Sequence, residues 1–104
     1  MQEYRNEHGN LHRLDGPAVI HPTGEQQWWA NGKIHRTDGP AVMHADGTQG
    51  WCIHGKLHRS DGPAIIRADG EHEWWFNGKQ VDQLTHMLLV NQQTIQTQPQ
   101  KVVL

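Results

Sequence analysis

The chain holds a single cysteine, Cys52, in 104 residues. One thiol excludes an internal disulfide and a cysteine-rich zinc site, and it suits a reducing compartment, so the cytoplasm is the expected location. Long apolar runs are also missing. The longest aliphatic stretch, Met87-Leu88-Leu89-Val90, falls far short of the roughly 20 residues a spanning helix needs. The start, Met1-Gln2-Glu3-Tyr4-Arg5-Asn6, has no apolar stretch resembling a secretory leader, so no membrane engagement is expected. An excess of positive charge is lacking as well. Nine Lys and Arg face eleven Asp and Glu, for a net charge of −2, which leaves no basic field to draw the protein onto duplex DNA or an anionic membrane. Aromatics other than tryptophan are nearly absent, with one Tyr and one Phe against five Trp.

What is present is repetition. His12-Arg13-Leu14-Asp15-Gly16-Pro17-Ala18 recurs as His35-Arg36-Thr37-Asp38-Gly39-Pro40-Ala41 and as His58-Arg59-Ser60-Asp61-Gly62-Pro63-Ala64, each 23 residues after the last. Trp28, Trp51 and Trp74 keep that register, as do Gly24, Gly47 and Gly70, and the triplets Asn31-Gly32-Lys33, His54-Gly55-Lys56 and Asn77-Gly78-Lys79. Residues 1–80 therefore divide into a half repeat, 1–15, and repeats at about 16–38, 39–61 and 62–80, while 81–104 stand outside the pattern.

Within a unit, short apolar runs lie between turn dipeptides, which is the spacing of strands and not of helices. Thr23-Gly24, Asp46-Gly47 and Asp69-Gly70 predict one set of hairpin turns, and Asn31-Gly32 with its equivalents a second. The predicted strands run from Ala18 to His21, through the tryptophans, and over Lys33-Ile34-His35. Alternation puts Trp28, Trp51 and Trp74 on one face and Trp29, Cys52 and Trp75 on the other. Stacked hairpins then form a mainly all-β, elongated, twisted antiparallel meander, whose ends need caps. After the array, Asp82 is placed to cap a short helix with Leu84, Met87 and Leu88 as its apolar face, docked as a lid. The glutamine-rich stretch 92–100 is expected to be extended or mobile, and Val102-Val103-Leu104 to add a strand or reach a partner.

The motif Trp-Trp-x-Asn-Gly-Lys-x-His-Arg-x-Asp-Gly-Pro-Ala, repeated over residues 4 to 79, resembles the MORN-like repeat proteins of bacteria and bacteriophages. The resemblance implies stacked β-hairpins serving as a scaffold or interaction surface in a bacterial or infected-host cytoplasm. Some bacterial members are described as antitoxins, which makes an inhibitor of a toxin or immune effector the expected purpose. It carries no catalytic residues onto this chain.

Candidate chemistry follows the rows. His-Arg-x-Asp matches a kinase catalytic-loop triplet, but it occurs three times in too short a chain and lacks the glycine-rich and metal-binding partners, so no enzyme is expected. Histidines one repeat apart lie too far from a common point for a tetrahedral ion, so no metal or other cofactor is expected. The candidate binding residues are Arg13, Arg36 and Arg59 with His35, His58, Trp29 and Trp75. They would serve either a protein partner or, alternatively, a nucleotide or other anion held by guanidinium forks and indole faces. The competing reading has each Arg pair with Asp15, Asp38 or Asp61 two positions on. An open sheet edge would also permit a homodimer.

Overall fold

The computed structural model describes residues 1–97. Twelve strands precede one helix. They are β1 (Gln2–Glu3), β2 (Val19–Ile20), β3 (Gln26–Gln27), β4 (Trp29–Ala30), β5 (Lys33–Ile34), β6 (Val42–Met43), β7 (Gln49–Gly50), β8 (Cys52–Ile53), β9 (Lys56–Leu57), β10 (Ile65–Ile66), β11 (His72–Phe76) and β12 (Lys79–Val81), then α1 (Gln83–Thr97). The main sheet has the order β1-β2-β3-β6-β7-β10-β11-β12, and β4-β5 and β8-β9 form two small hairpins. Every pairing is antiparallel. The fold is thus mainly β with a C-terminal helix.

The repeats at 16–38 and 39–61 each contribute two strands to the main sheet and one hairpin beside it, while the last places β10, β11 and β12 all in the main sheet. The long strand expected through the tryptophans breaks at Trp28 and Trp51, and only in the last unit does it run unbroken. Register is uniform: Val19 faces Gln27, Gln27 faces Val42, Val42 faces Gly50, Gly50 faces Ile65 and Ile65 faces Glu73. The hairpin turns follow from their residues. Asn31, His54 and Asn77 have φ of 51°, 49° and 49°, each followed by a glycine also at positive φ, which is the two-residue turn whose twist matches antiparallel strands.

Extending 60 × 37 × 19 Å, the molecule is too thin for a deep core. The fully covered side chains are small: Ala18, Ala41 and Ala64 are each 0% exposed, and no large side chain is wholly buried. Each of these alanines sits at the crossing between units. Tyr4, Trp28 and Trp51 donate their amide N–H to the carbonyls of Ala18, Ala41 and Ala64, at 2.8, 2.8 and 2.7 Å.

The N-terminal half unit carries one extra residue in its turn. His12 donates its amide N–H to Tyr4 O as His35 does to Trp28 O, so Tyr4 occupies the tryptophan position. Counting 23 residues back places Arg5 there instead, which hid the match.

At the other end, Asp82 caps α1 by accepting the Thr85 N–H at 2.7 Å. The inward face of α1 differs from the expected one. Leu84, Met87 and Leu88 are 62, 50 and 57% exposed, while His86 is buried and Leu89 and Val90 are half-buried. Both sets have the i, i+3, i+4 spacing, and the choice between them is made by His86. Its ring packs on Trp74 and Phe76, and its Nε2–H donates to the Arg59 carbonyl. The helix also continues through Thr97 where an extended or mobile segment was expected, since glutamine propagates a capped helix well. The rest of the glutamine-rich stretch and Val102-Val103-Leu104 lie outside the described residues. Among the described residues no helix is long and apolar enough to cross a membrane.

A Cβ added at Gly62 would lie 2.8 Å from Arg59 Cζ, whereas one at Gly50 would meet nothing closer than 3.9 Å. Gly62→Ala is therefore expected to lose about 1–3 kcal/mol in chemical denaturation, and Gly50→Ala to be neutral or slightly stabilising.

Candidate functional site

The repeated His-Arg-x-Asp-Gly-Pro loop makes the same contacts three times. The Cζ atoms of Arg13, Arg36 and Arg59 lie 4.0, 4.1 and 4.0 Å from the ring centroids of Tyr4, Trp28 and Trp51, each ring belonging to the same repeat as its arginine. Nε donates to Oδ1 of Asp15, Asp38 or Asp61 at 3.0, 2.9 and 2.9 Å. Nη1 donates to the carbonyl of Pro17, Pro40 or Pro63 at 3.2, 3.0 and 3.1 Å. The glycine before each proline lets the guanidinium lie flat on the loop, and the ring closes the other side. As a result the arginines are only 26, 24 and 21% exposed, while their aspartates are 87, 83 and 85% exposed. What the row offers to solvent is carboxylate. The Arg13 and Arg59 guanidinium groups hold the Asp15 and Asp61 carboxyls below the ordinary carboxylate range.

The histidines of the same loops face the neighbouring hairpin. Nδ1 of His12, His35 and His58 accepts the amide N–H of Asn31, His54 and Asn77 at 2.9, 2.9 and 3.0 Å, which stabilises the left-handed first residue of each turn. His35 stacks on His54 at 4.5 Å, and His58 meets Phe76 edge-on. A ring accepting at Nδ1 is neutral there. Burial, then the charge of His54, lowers the His35 pKa; burial, then His86, lowers that of His58.

Trp29 and Trp75 are not brought to this row. Each indole N–H donates to the side chain two residues before it, Gln27 Oε1 at 2.9 Å and Glu73 Oε1 at 3.1 Å. Glu73 also takes the Arg67 guanidinium. In the middle unit both members of that pair change together, with Cys52 in the Trp position and Gly50 in the acceptor position. Cys52 is buried, and burial pushes its thiol pKa up, as fits a packing group and not a nucleophile. Among the described residues, no three His, Cys, Asp or Glu side chains converge as a metal set.

Trp28, Trp51 and Trp74 line three grooves in a row, Trp28 and Trp51 stacked on Arg36 and Arg59 and Trp74 on His86. The first, about 570 Å³, lies between the loops of Arg13 and Arg36 over Trp28. The second, about 630 Å³, lies between the loops of Arg36 and Arg59 over Trp51. The third, about 660 Å³, lies between Ser60-Asp61-Gly62 and helix α1 over Trp74, with Leu84, Met87 and Val90 as its apolar wall. This last groove was hidden from the sequence because α1 had been oriented with Leu84 and Met87 inward. The signal available was Asp82, whose capping role shows that the fourth loop gives way to a helix. No protein-family model, curated protein or solved structure matches the chain.

The lowered histidine values give stability a definite pH dependence. The unfolded chain takes up protons near the ordinary value of 6.5 while folded His35 and His58 resist them. Their contribution is full above 6.5 and is lost as pH falls below it toward the folded values. Thermal melts should therefore move to lower temperature between pH 7.5 and 5.5. His35→Gln with His58→Gln should flatten that limb, leaving the carboxylate-dependent loss below about pH 4.

Proposed function

We propose that this protein is a non-catalytic binding protein whose β-repeat surface engages another protein. The observation that carries this reading is the row of three open, tryptophan-floored grooves ending against an exposed apolar helix face. Leu84, Met87 and Leu88 lie in water at the end of an array whose polar residues are otherwise spent on holding units together, and such patches mark interaction sites. The resemblance to MORN-like repeats supports the same reading, and with it we propose a bacterial or infected-host cytoplasm and a role as inhibitor of a toxin or immune effector.

The alternative, sequestering a nucleotide or another anion on the arginine row, has less in its favour. The guanidinium edges there are committed to Asp and Pro oxygens, and the solvent side is acidic. Edge-to-edge homodimerisation would have little strand to use, since β1 is two residues long and β12 three.

Leu84→Glu with Met87→Glu changes two exposed positions, so the fold should keep its melting temperature. The immobilised wild-type chain should retain a specific protein from bacterial lysate, and the double variant should lose at least about 90% of it, a tenfold change that corresponds to ~1.4 kcal/mol. Equal retention by both chains, or strong 260 nm absorbance of the purified protein from a co-purified nucleotide, would count against the proposal.

A further inference from the structure

The three grooves share one design, but their charges differ. The first is lined by Arg13 and Arg36 against Asp15 and Asp38, and the second by Arg36 and Arg59 against Asp38 and Asp61. In both, guanidinium and carboxylate are matched. In the third, Asp61 is the single carboxylate of the lining, and no lysine or arginine stands opposite it. The reason lies in the sequence. Eight residues after Trp28 and Trp51 come Arg36 and Arg59, while eight residues after Trp74 comes Asp82, which caps α1. His86 then covers Trp74 from the helix, its ring centroid 4.9 Å away. That substitution restores an aromatic contact without restoring the guanidinium.

We infer that the third groove is an anchor site for an arginine side chain presented by a partner protein, an assignment that rests on the protein-binding reading above. The chain shows the required recognition on itself, where Arg36 and Arg59 combine an indole face with the carboxylate two residues on. Asp61 is 85% exposed, and only its Oδ1 receives Arg59 Nε. A carboxylate has room for further donors, and a guanidinium fork matches it in geometry. The aliphatic stem of the incoming arginine would run along Met87 and Leu84 while its head reaches the rim. Lysine carries the charge but lacks the planar fork and binds less well. An anionic ligand finds no lysine or arginine in this groove.

The probe is the peptide acetyl-Gly-Arg-Gly-amide, titrated into isotopically labelled protein and followed at the indole N–H signals. A single anchored side chain should saturate in the millimolar range, moving the Trp74 indole signal and leaving those of Trp28 and Trp51 in place. The same peptide with citrulline, which keeps the shape and loses the charge, should bind at least about fivefold more weakly, as should the arginine peptide with Asp61→Asn protein. Asp38→Asn, an equal charge change one unit away, should leave the affinity unchanged. Equal binding of arginine and citrulline, indifference to Asp61→Asn, or no Trp74 shift at tens of millimolar would overturn the assignment. If those results came alongside loss of the captured partner in the Leu84→Glu, Met87→Glu chain, protein binding would stand and the arginine anchor alone would fall.

Discussion

The structure depends on one contact made three times, an arginine laid flat between an aromatic ring of its own repeat and the glycine that opens the next. With about three-quarters of the side chain covered, each stack contributes on the order of 1–2 kcal/mol. Its geometric effect is larger than its energy. The carbonyl of Pro and the carboxylate of Asp hold the guanidinium in plane, and the plane fixes how far apart two units can sit. A Cβ at position 16, 39 or 62 would crowd the guanidinium at 2.8–3.0 Å, and the alanines at the adjacent crossing of strands are fully covered. A slab this thin has no deep core to correct a misplaced unit, so the wedges set the pitch.

The contact changes where the repeat pattern changes. Each ring takes the arginine of its own repeat, and that arginine clamps the proline carbonyl of the next. The front end is closed by Tyr4, a smaller ring in a hairpin with one more residue. The back end is closed by α1, where His86 takes the covering role and its ring N–H reaches back to the Arg59 carbonyl. Because the helix is positioned by that histidine, Leu84, Met87 and Leu88 are left facing water. The exposed patch and a last groove whose lining holds Asp61 without an arginine are two results of the same substitution.

Part of the candidate site was legible in the sequence. The arginine row and the pairing of each Arg with the Asp two positions later could be proposed from spacing alone, since a loop places those side chains within reach whatever the units do. The ring beside each arginine could not. Trp28 and Trp29 are equivalent in composition and opposite in orientation, and which of them faces the loop depends on how successive hairpins are stacked. Leu84 and Met87 were read as packed because apolar spacing predicts a buried stripe, and a histidine is not counted toward such a stripe. Yet His86, Leu89 and Val90 form the stripe that packs.

The sequence by itself determined the repeat length, the strand character of each unit, the turns at Asn31-Gly32 and its equivalents, and the cap at Asp82. These are local properties, set by backbone preferences over a few residues and by a pattern repeated too often to be misread. Only the tertiary structure decided which tryptophan face floors the grooves, which side of α1 is buried, that Tyr4 stands in for a tryptophan, and that Asp61 in the last groove has no arginine across from it. Each of these turns on what one unit places against the next. The 23-residue pattern cannot state such a contact where it changes, at the longer turn after Tyr4 and at the helix that follows Asp82.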